Sequence, residues 1–122
     1  MITVIITSYN NAKHINKCLE SVLNQSFSDY EIVIVDDASI DDTKEILPSY
    51  CNHPKVRCCY QNMNRGVSNS RNLGASKSKG DWLCFLDGDD YINPQKLESE
   101  WEYLSSCNKD GVASNFQFVD SE

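Results

Sequence analysis

Three carboxylates stand close together in the second half of the chain, directly after an apolar run. The run is Trp82–Leu86, and Asp87, Gly88, Asp89 and Asp90 follow it. Five consecutive apolar residues without helical spacing predict a strand buried on both faces, as in a parallel sheet covered by helices. Ligands bind at the carboxyl ends of such strands, where clustered negative charge requires a cation or hydrogen-bond donors. The segment therefore predicts a metal and nucleotide site; the alternative is a solvated acidic turn that caps the next helix.

Polar and aromatic residues also follow two earlier predicted strands. Thr7 and Tyr9 come after the β-branched run 2–6, and Asp36 and Asp37 come after the run 32–35. Together they could stack on a base and accept a hydrogen bond from its ring N–H, although Tyr9 could equally be an ordinary core aromatic. The first turn contains no glycine, so the G-x-G-x-x-G fingerprint and the P-loop are both absent. A dehydrogenase or an ordinary NTPase is therefore disfavoured.

Strands and helices are predicted to alternate along the chain. The elements expected from hydrophobic spacing and turn residues are strand 2–6, helix 15–23, strand 32–35, a helix around Ile46 and Leu47 that Pro48 limits, strand 56–60, helix 67–78, strand 82–86, a helix with Asn93 and Pro94 as N-cap and N1, and strand 112–119. This order predicts an α/β fold in which one doubly wound, mostly parallel sheet carries flanking helices. No linker interrupts the pattern, so residues 1–122 are expected to form one domain.

The charge distribution limits the possible partners. The net charge is −7 and the pI is about 4.7, which argues against a general nucleic-acid binder because phosphate contacts need a basic surface. Between Glu45 and Asp81 there is no acidic residue, and six Lys and Arg residues fall there. A basic middle next to acidic loops suits a polyanion such as a diphosphate held partly through a metal.

The six cysteines lack the paired two-residue spacing of zinc sites and redox motifs. Cys18 and Cys84 fall on apolar positions and are expected to be small buried hydrophobes in a reduced, cytosolic setting, without a disulfide framework. Residues 1–6 are too short for a signal peptide or a membrane span. We therefore expect a cytoplasmic protein, or one attached to the membrane periphery in its full-length form.

Five segments resemble, in order and spacing, the family 2 glycosyltransferases of the GT-A fold. These segments are Val4–Asn10, Glu31–Ser39, Asn64–Gly66, Ser70–Asn72 and Phe85–Asp90. The resemblance implies that residues 1–122 are the nucleotide-sugar-binding portion of a longer glycosyltransferase, with a donor that is usually a UDP-sugar. It also implies Mn²⁺ or Mg²⁺ at the D-x-D motif. By position, the resemblance implies that Thr7, Tyr9 and Asp37 contact the base, Arg71 the base or diphosphate, Asp87 the ribose or metal, and Asp89 the metal.

The reaction implied by the resemblance is inverting transfer of a sugar to a saccharide or other hydroxyl acceptor. Such transfer needs a general base. Asp110 and Asp120 are predicted on or beside the last strand and do not match that base, so the catalytic base is expected beyond residue 122. Three alternatives stay open: a non-catalytic nucleotide-sugar-binding module, a D-x-D phosphatase of the haloacid-dehalogenase type, and a receiver domain. The receiver is disfavoured because its acid pair should follow the first strand.

Overall fold

The computed structural model describes residues 1–107 as a parallel sheet between two layers of helices. In chain order its elements are β1 (Ile2–Ser8), α1 (Ile15–Leu23), β2 (Tyr30–Asp36), α2 (Thr43–Tyr50), β3 (Val56–Tyr60), α3 (Val67–Lys77), β4 (Trp82–Asp87) and α4 (Lys96–Cys107). The strand order is β3-β2-β1-β4, and every described pair is parallel. The predicted fold class is confirmed. The predicted strand 112–119 lies outside the described residues.

The centre of the sheet is formed by β1 and β2, in which every residue is buried. Because side chains alternate along a strand, Val4 and Ile6 face one layer and Ile5 faces the other. The first layer contains α1, α2 and α4, which contribute Leu19, Leu47 and Leu97 to the same cluster. Each such side chain stabilises the fold by roughly 1.5–3 kcal/mol when fully buried. The hydrophobic effect therefore holds the two central strands, and with them their carboxyl ends, in place.

Helix α3 covers the opposite face of the sheet, where it packs on β1 and β2. Gly74 permits this contact, because a Cβ atom there would lie 2.4 Å from Ile5 Cγ2 and 3.4 Å from Val35 Cγ2. The small residue therefore lets the helix pack closely on the two central strands. The close approach brings the amino-terminal half of α3 to the strand ends.

The prediction that Trp82–Leu86 is buried on both faces is wrong. Leu83 and Phe85 are 41% and 48% exposed, and they share the face of the sheet on which α3 lies. Within residues 1–107, β4 is an edge strand paired with β1, and α3 crosses β1 and β2 instead of β4. An apolar run therefore identified the strand correctly but not its surroundings.

Two predicted helix boundaries also need correction. Helix α2 continues through Pro48 to Tyr50, although Pro48 was expected to limit it. The carbonyl that loses its partner belongs to the exposed Lys44, where water can replace the missing N–H. Helix α4 is assigned from Lys96, two residues after the predicted first position, but Asn93 Oδ1 accepts from the Gln95 N–H at 2.8 Å, which is the bond expected of an N-cap side chain.

Cys51 and Cys58 form a disulfide, which corrects the expectation that disulfides are absent. Cys51 directly follows α2 and Cys58 lies in the middle of β3, so the packing of these two elements brings the pair together. Cys18 is buried as predicted, and burial, together with the three carboxylates at the end of β4, raises the pKa of its thiol to about 12. Among residues 1–107, no helix has the length and apolar character needed to cross a bilayer.

A buried carboxylate connects the strands near their amino-terminal ends. Glu31 Oε2 accepts hydrogen bonds from Thr3 Oγ1 at 2.7 Å and from the Lys79 N–H at 2.6 Å, and Glu31 Oε1 accepts from Arg57 Nη2 at 2.7 Å. Burial by itself raises the pKa of Glu31, but these hydrogen bonds and the Arg57 charge outweigh it and lower the pKa from 4.5. The network joins β1, β2 and β3 to the segment that leads into β4.

Glu31→Gln should lower the free energy of unfolding at neutral pH by about 1–3 kcal/mol, because an amide cannot accept from all three donors. The folded-state pKa is below the unfolded value of 4.5, so the carboxylate stabilises the fold above that pH and loses its effect as the pH falls further. The difference between wild type and variant should therefore shrink in acid. Urea unfolding across pH measures it, with the exposed Glu102→Gln as control. Equal stability of wild type and Glu31→Gln at neutral pH would contradict the assignment.

Candidate functional site

The carboxyl ends of β1, β2 and β4 and the amino-terminal half of α3 surround a cleft of about 420 Å³. All six residues to which the resemblance assigns a ligand contact line this cleft, namely Thr7, Tyr9, Asp37, Arg71, Asp87 and Asp89. Strands β2 and β3 lie on one side of β1, and β4 lies on its other side, so the direction in which the chain adds strands reverses at β1. Open α/β sheets bind ligands at such a switch point, outside the carboxyl ends of the strands. The fold therefore places the cleft where a ligand is expected.

An acidic cluster forms one end of the cleft. One carboxylate oxygen from each of Asp87, Asp89 and Asp90 lies within 4.8 Å of the other two. Partial burial and then the charges of Asp89 and Asp87 raise the pKa of Asp90. Carboxylates this close repel one another, and a divalent cation would relieve that repulsion. These oxygen ligands fit Mg²⁺ or Mn²⁺, and Asp90 joins the two residues that the sequence named as metal ligands.

Asp87 is held by residues from two neighbouring elements. Thr7, its register partner on β1, donates from Oγ1 to Asp87 Oδ1 at 3.2 Å. Arg71 Nη2, from the second turn of α3, lies 3.5 Å from the same oxygen. Both members of this ion pair are about half-exposed, so it adds little to stability. Its effect is to place a cation beside the acidic cluster, within reach of an anion that enters the cleft.

Tyr9 belongs to the wall of the cleft and not to the core, because its side chain is 46% exposed. Its backbone N–H donates to Asn11 Oδ1 at 2.9 Å. Gly88 lies against the same amide, since a Cβ atom there would be 2.8 Å from Asn11 Oδ1 and 3.1 Å from the Thr7 carbonyl oxygen. The Gly88 N–H also donates to that carbonyl at 2.8 Å. The lack of a side chain therefore allows the turn after β4 to contact the turn after β1.

The turns after β1 and β2 are hydrogen-bonded to each other. The Asn10 N–H donates to Ser39 Oγ at 2.9 Å, and the Ile40 N–H donates to Asn10 Oδ1 at 2.9 Å. Each turn contains a left-handed residue, Asn10 with φ 52° and Ala38 with φ 62°. This conformation costs an alanine roughly 1–2 kcal/mol, which the surrounding hydrogen bonds must offset. The two strand ends are thereby held in one arrangement.

Asp36 does not line the cleft, although the sequence suggested both acids after strand two as acceptors for a base. Its side chain is fully buried, and it accepts from Ser39 Oγ at 2.6 Å and from the Ser39 N–H at 3.0 Å. Both of its oxygens are thus used to close the turn. Asp36 is a structural residue in this fold.

Asp37 lines the cleft and also anchors the loop that precedes α3. It is 4% exposed, and its Oδ1 accepts from Gln61 Nε2 at 3.0 Å and from the Arg65 N–H at 2.8 Å. Its Oδ2 accepts from the Gly66 N–H at 2.9 Å. Gly66 has φ 91°, so the backbone turns there into α3 and exposes amide groups to the carboxylate. Asp37 therefore connects the second strand end to the helix that carries Arg71.

The sequence did not single out several polar residues in or beside the cleft, among them Gln61, Ser70 and Ser8. Gln61 and Ser70 belong to the hydrogen-bonded surroundings of Asp37. Ser8 lines the cleft, and its buried hydroxyl has no hydrogen-bond partner within the described residues. Their position in the sequence could have identified two of them. Ser8 and Gln61 stand at the carboxyl ends of β1 and β3, just as acidic residues stand at the carboxyl ends of β2 and β4. Asp110 and Asp120 lie outside the described residues.

A family model described as glycosyl transferase family 2 matches residues 3–122. An uncharacterized glycosyltransferase of Haemophilus influenzae is 32% identical over 123 residues, which cover 100% of this chain and 49% of that protein. The chondroitin synthase of Escherichia coli is 39% identical over 99 residues, which cover 80% of this chain and 14% of the synthase. The chain thus spans less than half the length of each of these relatives.

A crystal structure of S. aureus TarS 1–349 in complex with UDP-GlcNAc is similar to this chain, with a TM-score of 0.84 and 31% sequence identity. The similarity covers 89% of this chain and 32% of the TarS chain. The family and the fold expected from the sequence are both confirmed.

Gly88→Ala should destabilise the protein by about 1–3 kcal/mol, because the new methyl group would press on Asn11 Oδ1, which the Tyr9 N–H already holds. Urea unfolding measures the change. Ser76→Ala, at an exposed position on α3, serves as the control and should be close to neutral. An unchanged unfolding midpoint for Gly88→Ala would show that the contact between the two turns is looser than described.

Proposed function

This chain belongs to glycosyl transferase family 2, and from that premise we propose that it carries the donor site of a metal-dependent glycosyltransferase. The donor is a nucleoside-diphosphate sugar, and a UDP-sugar suits the cleft best. In the full-length protein the sugar is transferred, with inversion at the anomeric carbon, to the hydroxyl group of a saccharide or other acceptor.

The observation that carries this proposal is the arrangement of three features within one cleft. An exposed aromatic ring and a buried carboxylate, Tyr9 and Asp37, stand at the ends of β1 and β2. Arg71 comes next, and the acidic cluster at the end of β4 follows. A nucleoside diphosphate has a flat base with polar edges at one end and a polyanionic diphosphate at the other. The chemistry of the cleft matches the ligand part by part.

The base end of the ligand is assigned to the first two strand ends. Tyr9 offers a ring face for stacking, and Asp37 Oδ2 accepts the N3–H of uracil. Thr7 contacts the nucleoside while it holds Asp87 through its hydroxyl group. Arg71 exchanges part of its interaction with Asp87 for the negatively charged diphosphate. The UDP-GlcNAc held by S. aureus TarS supports the choice of a uridine donor.

The acidic cluster is assigned to a divalent cation, Mn²⁺ or Mg²⁺. Asp89 and Asp87 would hold it, with Asp90 beside them. When bound, such a cation neutralises the charge that develops on the departing nucleoside diphosphate. Carboxylates suit this role because Mg²⁺ and Mn²⁺ bind through one or two protein oxygens plus phosphate oxygens and water.

Transfer also requires a base that takes the proton of the acceptor hydroxyl. We assign this role to no residue within 1–107, and the proposal places the base outside the donor site. Measurements of donor binding, rather than of turnover, are therefore the most direct test of the proposal on this chain. Binding without transfer to any acceptor, in the full-length protein, would favour a non-catalytic nucleotide-sugar-binding module instead.

UDP binding should depend on Mn²⁺ through Asp89. Asp89→Asn keeps the side-chain shape but removes a charge, so UDP affinity in Mn²⁺ should fall at least about tenfold, which corresponds to about 1.4 kcal/mol. Without the metal the variant should bind UDP at least as tightly as the wild type, because the removed carboxylate would otherwise repel the diphosphate. Isothermal titration calorimetry with UDP, with and without Mn²⁺, measures both effects. Asp81→Asn is the matched control, since Asp81 is exposed at the opposite end of β4. Equal affinities for wild type and Asp89→Asn in Mn²⁺ would refute the metal assignment.

UDP should bind the wild-type protein more tightly than ADP, because adenine has no ring N–H to donate to Asp37. Asp37→Ala should weaken UDP binding by about 1–3 kcal/mol and reduce the preference over ADP. Since this variant also frees the loop before α3, thermal unfolding is measured in parallel to confirm that it is folded. Wild-type protein that binds ADP as well as UDP would contradict the uridine assignment while leaving a diphosphate site intact.

A further inference from the structure

Gln61 is the first residue after β3, and its side chain reaches into the space between β2 and α3. Its Nε2 donates to Asp37 Oδ1 at 3.0 Å and to Ser70 Oγ at 3.2 Å. Its backbone N–H donates to the Asp36 carbonyl oxygen at 2.9 Å, which continues the strand pairing by one residue. One amide group therefore connects the end of β3, the cleft carboxylate on the end of β2, and the buried face of α3.

The partners of Asp37 leave its two oxygens unequal. Oδ1 accepts from Gln61 Nε2 and from the Arg65 N–H, whereas Oδ2 accepts from the Gly66 N–H alone within the described residues. A carboxylate oxygen readily accepts two hydrogen bonds. Oδ1 is thus fully used, and the remaining acceptor capacity lies on Oδ2. The carboxylate cannot rotate without breaking at least one of these three bonds.

Of the three described donors to Asp37, Gln61 donates from its side chain, and the position of its amide group is well defined. Ser70, which accepts its second N–H, is 1% exposed and belongs to α3. The two backbone donors sit on the loop 62–66, which has no strand or helix of its own. The Gln61 amide is therefore fixed by regular secondary structure, because Gln61 directly follows β3 and its amide also bonds to α3. It holds the Asp37 carboxylate from that side.

We propose that Gln61 is a positioning residue that gives this site its preference for uracil over cytosine. The inference rests on the proposed function, in which Asp37 faces position 3 of the base. Uracil carries a hydrogen on N3 and can donate to the free side of Oδ2. Cytosine presents a lone pair at the same position, which a fixed carboxylate repels. Gln61 fixes the carboxylate with that acceptor side turned to the ligand, so the discrimination depends on a residue that touches neither base.

The test compares UDP and CDP, which share the diphosphate and differ only in the base. Calorimetric titrations in Mn²⁺ are made with the wild-type chain and with Gln61→Met, which keeps the size of the side chain but cannot donate. UDP affinity should fall about three- to tenfold, while CDP affinity should change less than about twofold. A merely structural role would weaken both nucleotides equally, and that result, or an unchanged ratio, would overturn the proposal.

Gln25→Met is the matched control, because it makes the same chemical change outside the cleft. Gln25 Nε2 donates to the Ser21 and Asn93 carbonyl oxygens, so the control should lose stability without altering the UDP to CDP ratio. Ser70→Ala is the second variant should Gln61→Met fail to fold, and it should lower the same ratio by freeing the Gln61 amide. An unchanged ratio in folded Ser70→Ala would also overturn the proposal.

The outcome for the wild type separates this proposal from the one on which it rests. If the wild-type protein does not bind UDP in Mn²⁺, the donor site itself is wrongly assigned. If it binds UDP better than CDP and both variants keep that preference, the donor site stands and the role of Gln61 is refuted.

Discussion

Parallel, in-register pairing of the strands is the constraint on which the site depends. The register places Thr7 of β1 opposite Asp87 of β4 and Ser8 opposite Asp36 of β2. It also places Asp36 opposite Tyr60, so that Gln61 follows at the same edge. A shift of one residue in any pair would turn the side chains of that strand to the other face. The buried β-branched residues of β1 and β2 prevent such a shift, so the packing of the core determines which polar side chains meet.

The two ends of the cleft are stabilised differently. At the end formed by β1 and β2, Asp37 has three donors and the neighbouring turns are hydrogen-bonded to each other. At the end formed by β4, the carboxylates are partly exposed, repel one another, and have one nearby cation in Arg71 among the described contacts. The first end is pre-organised, which lowers the free-energy cost of recognising a specific shape. The second end is held less firmly and gains most from a bound positive charge.

The sequence predicted the order of elements and the identity of the clustered side chains well, because both follow from local patterns. The β-branched and apolar runs identified all four described strands, and polar residues immediately after them marked the edge of the sheet at which the cleft lies. What could not be predicted depends on neighbours distant in sequence. The exposure of Phe85 reflects where α3 crosses the sheet, and the Cys51–Cys58 disulfide reflects the packing of α2 against β3. Local spacing contains neither piece of information.

The same distinction explains why Asp36 and Asp37 could not be separated from the sequence. Both follow the predicted strand 32–35, and both are almost fully buried. Their difference arises from the direction of the side chain: Asp36 turns back to Ser39 within its own loop, whereas Asp37 reaches Gln61 and the loop before α3. A buried carboxylate needs donors wherever it lies, so its burial alone says nothing about function. What distinguishes Asp37 is that, among the described residues, Oδ2 accepts from the Gly66 N–H alone and lies at the wall of a cleft. A carboxylate that is almost satisfied and rigidly held is suited to choosing between ligands that present a donor and ligands that present an acceptor at one position.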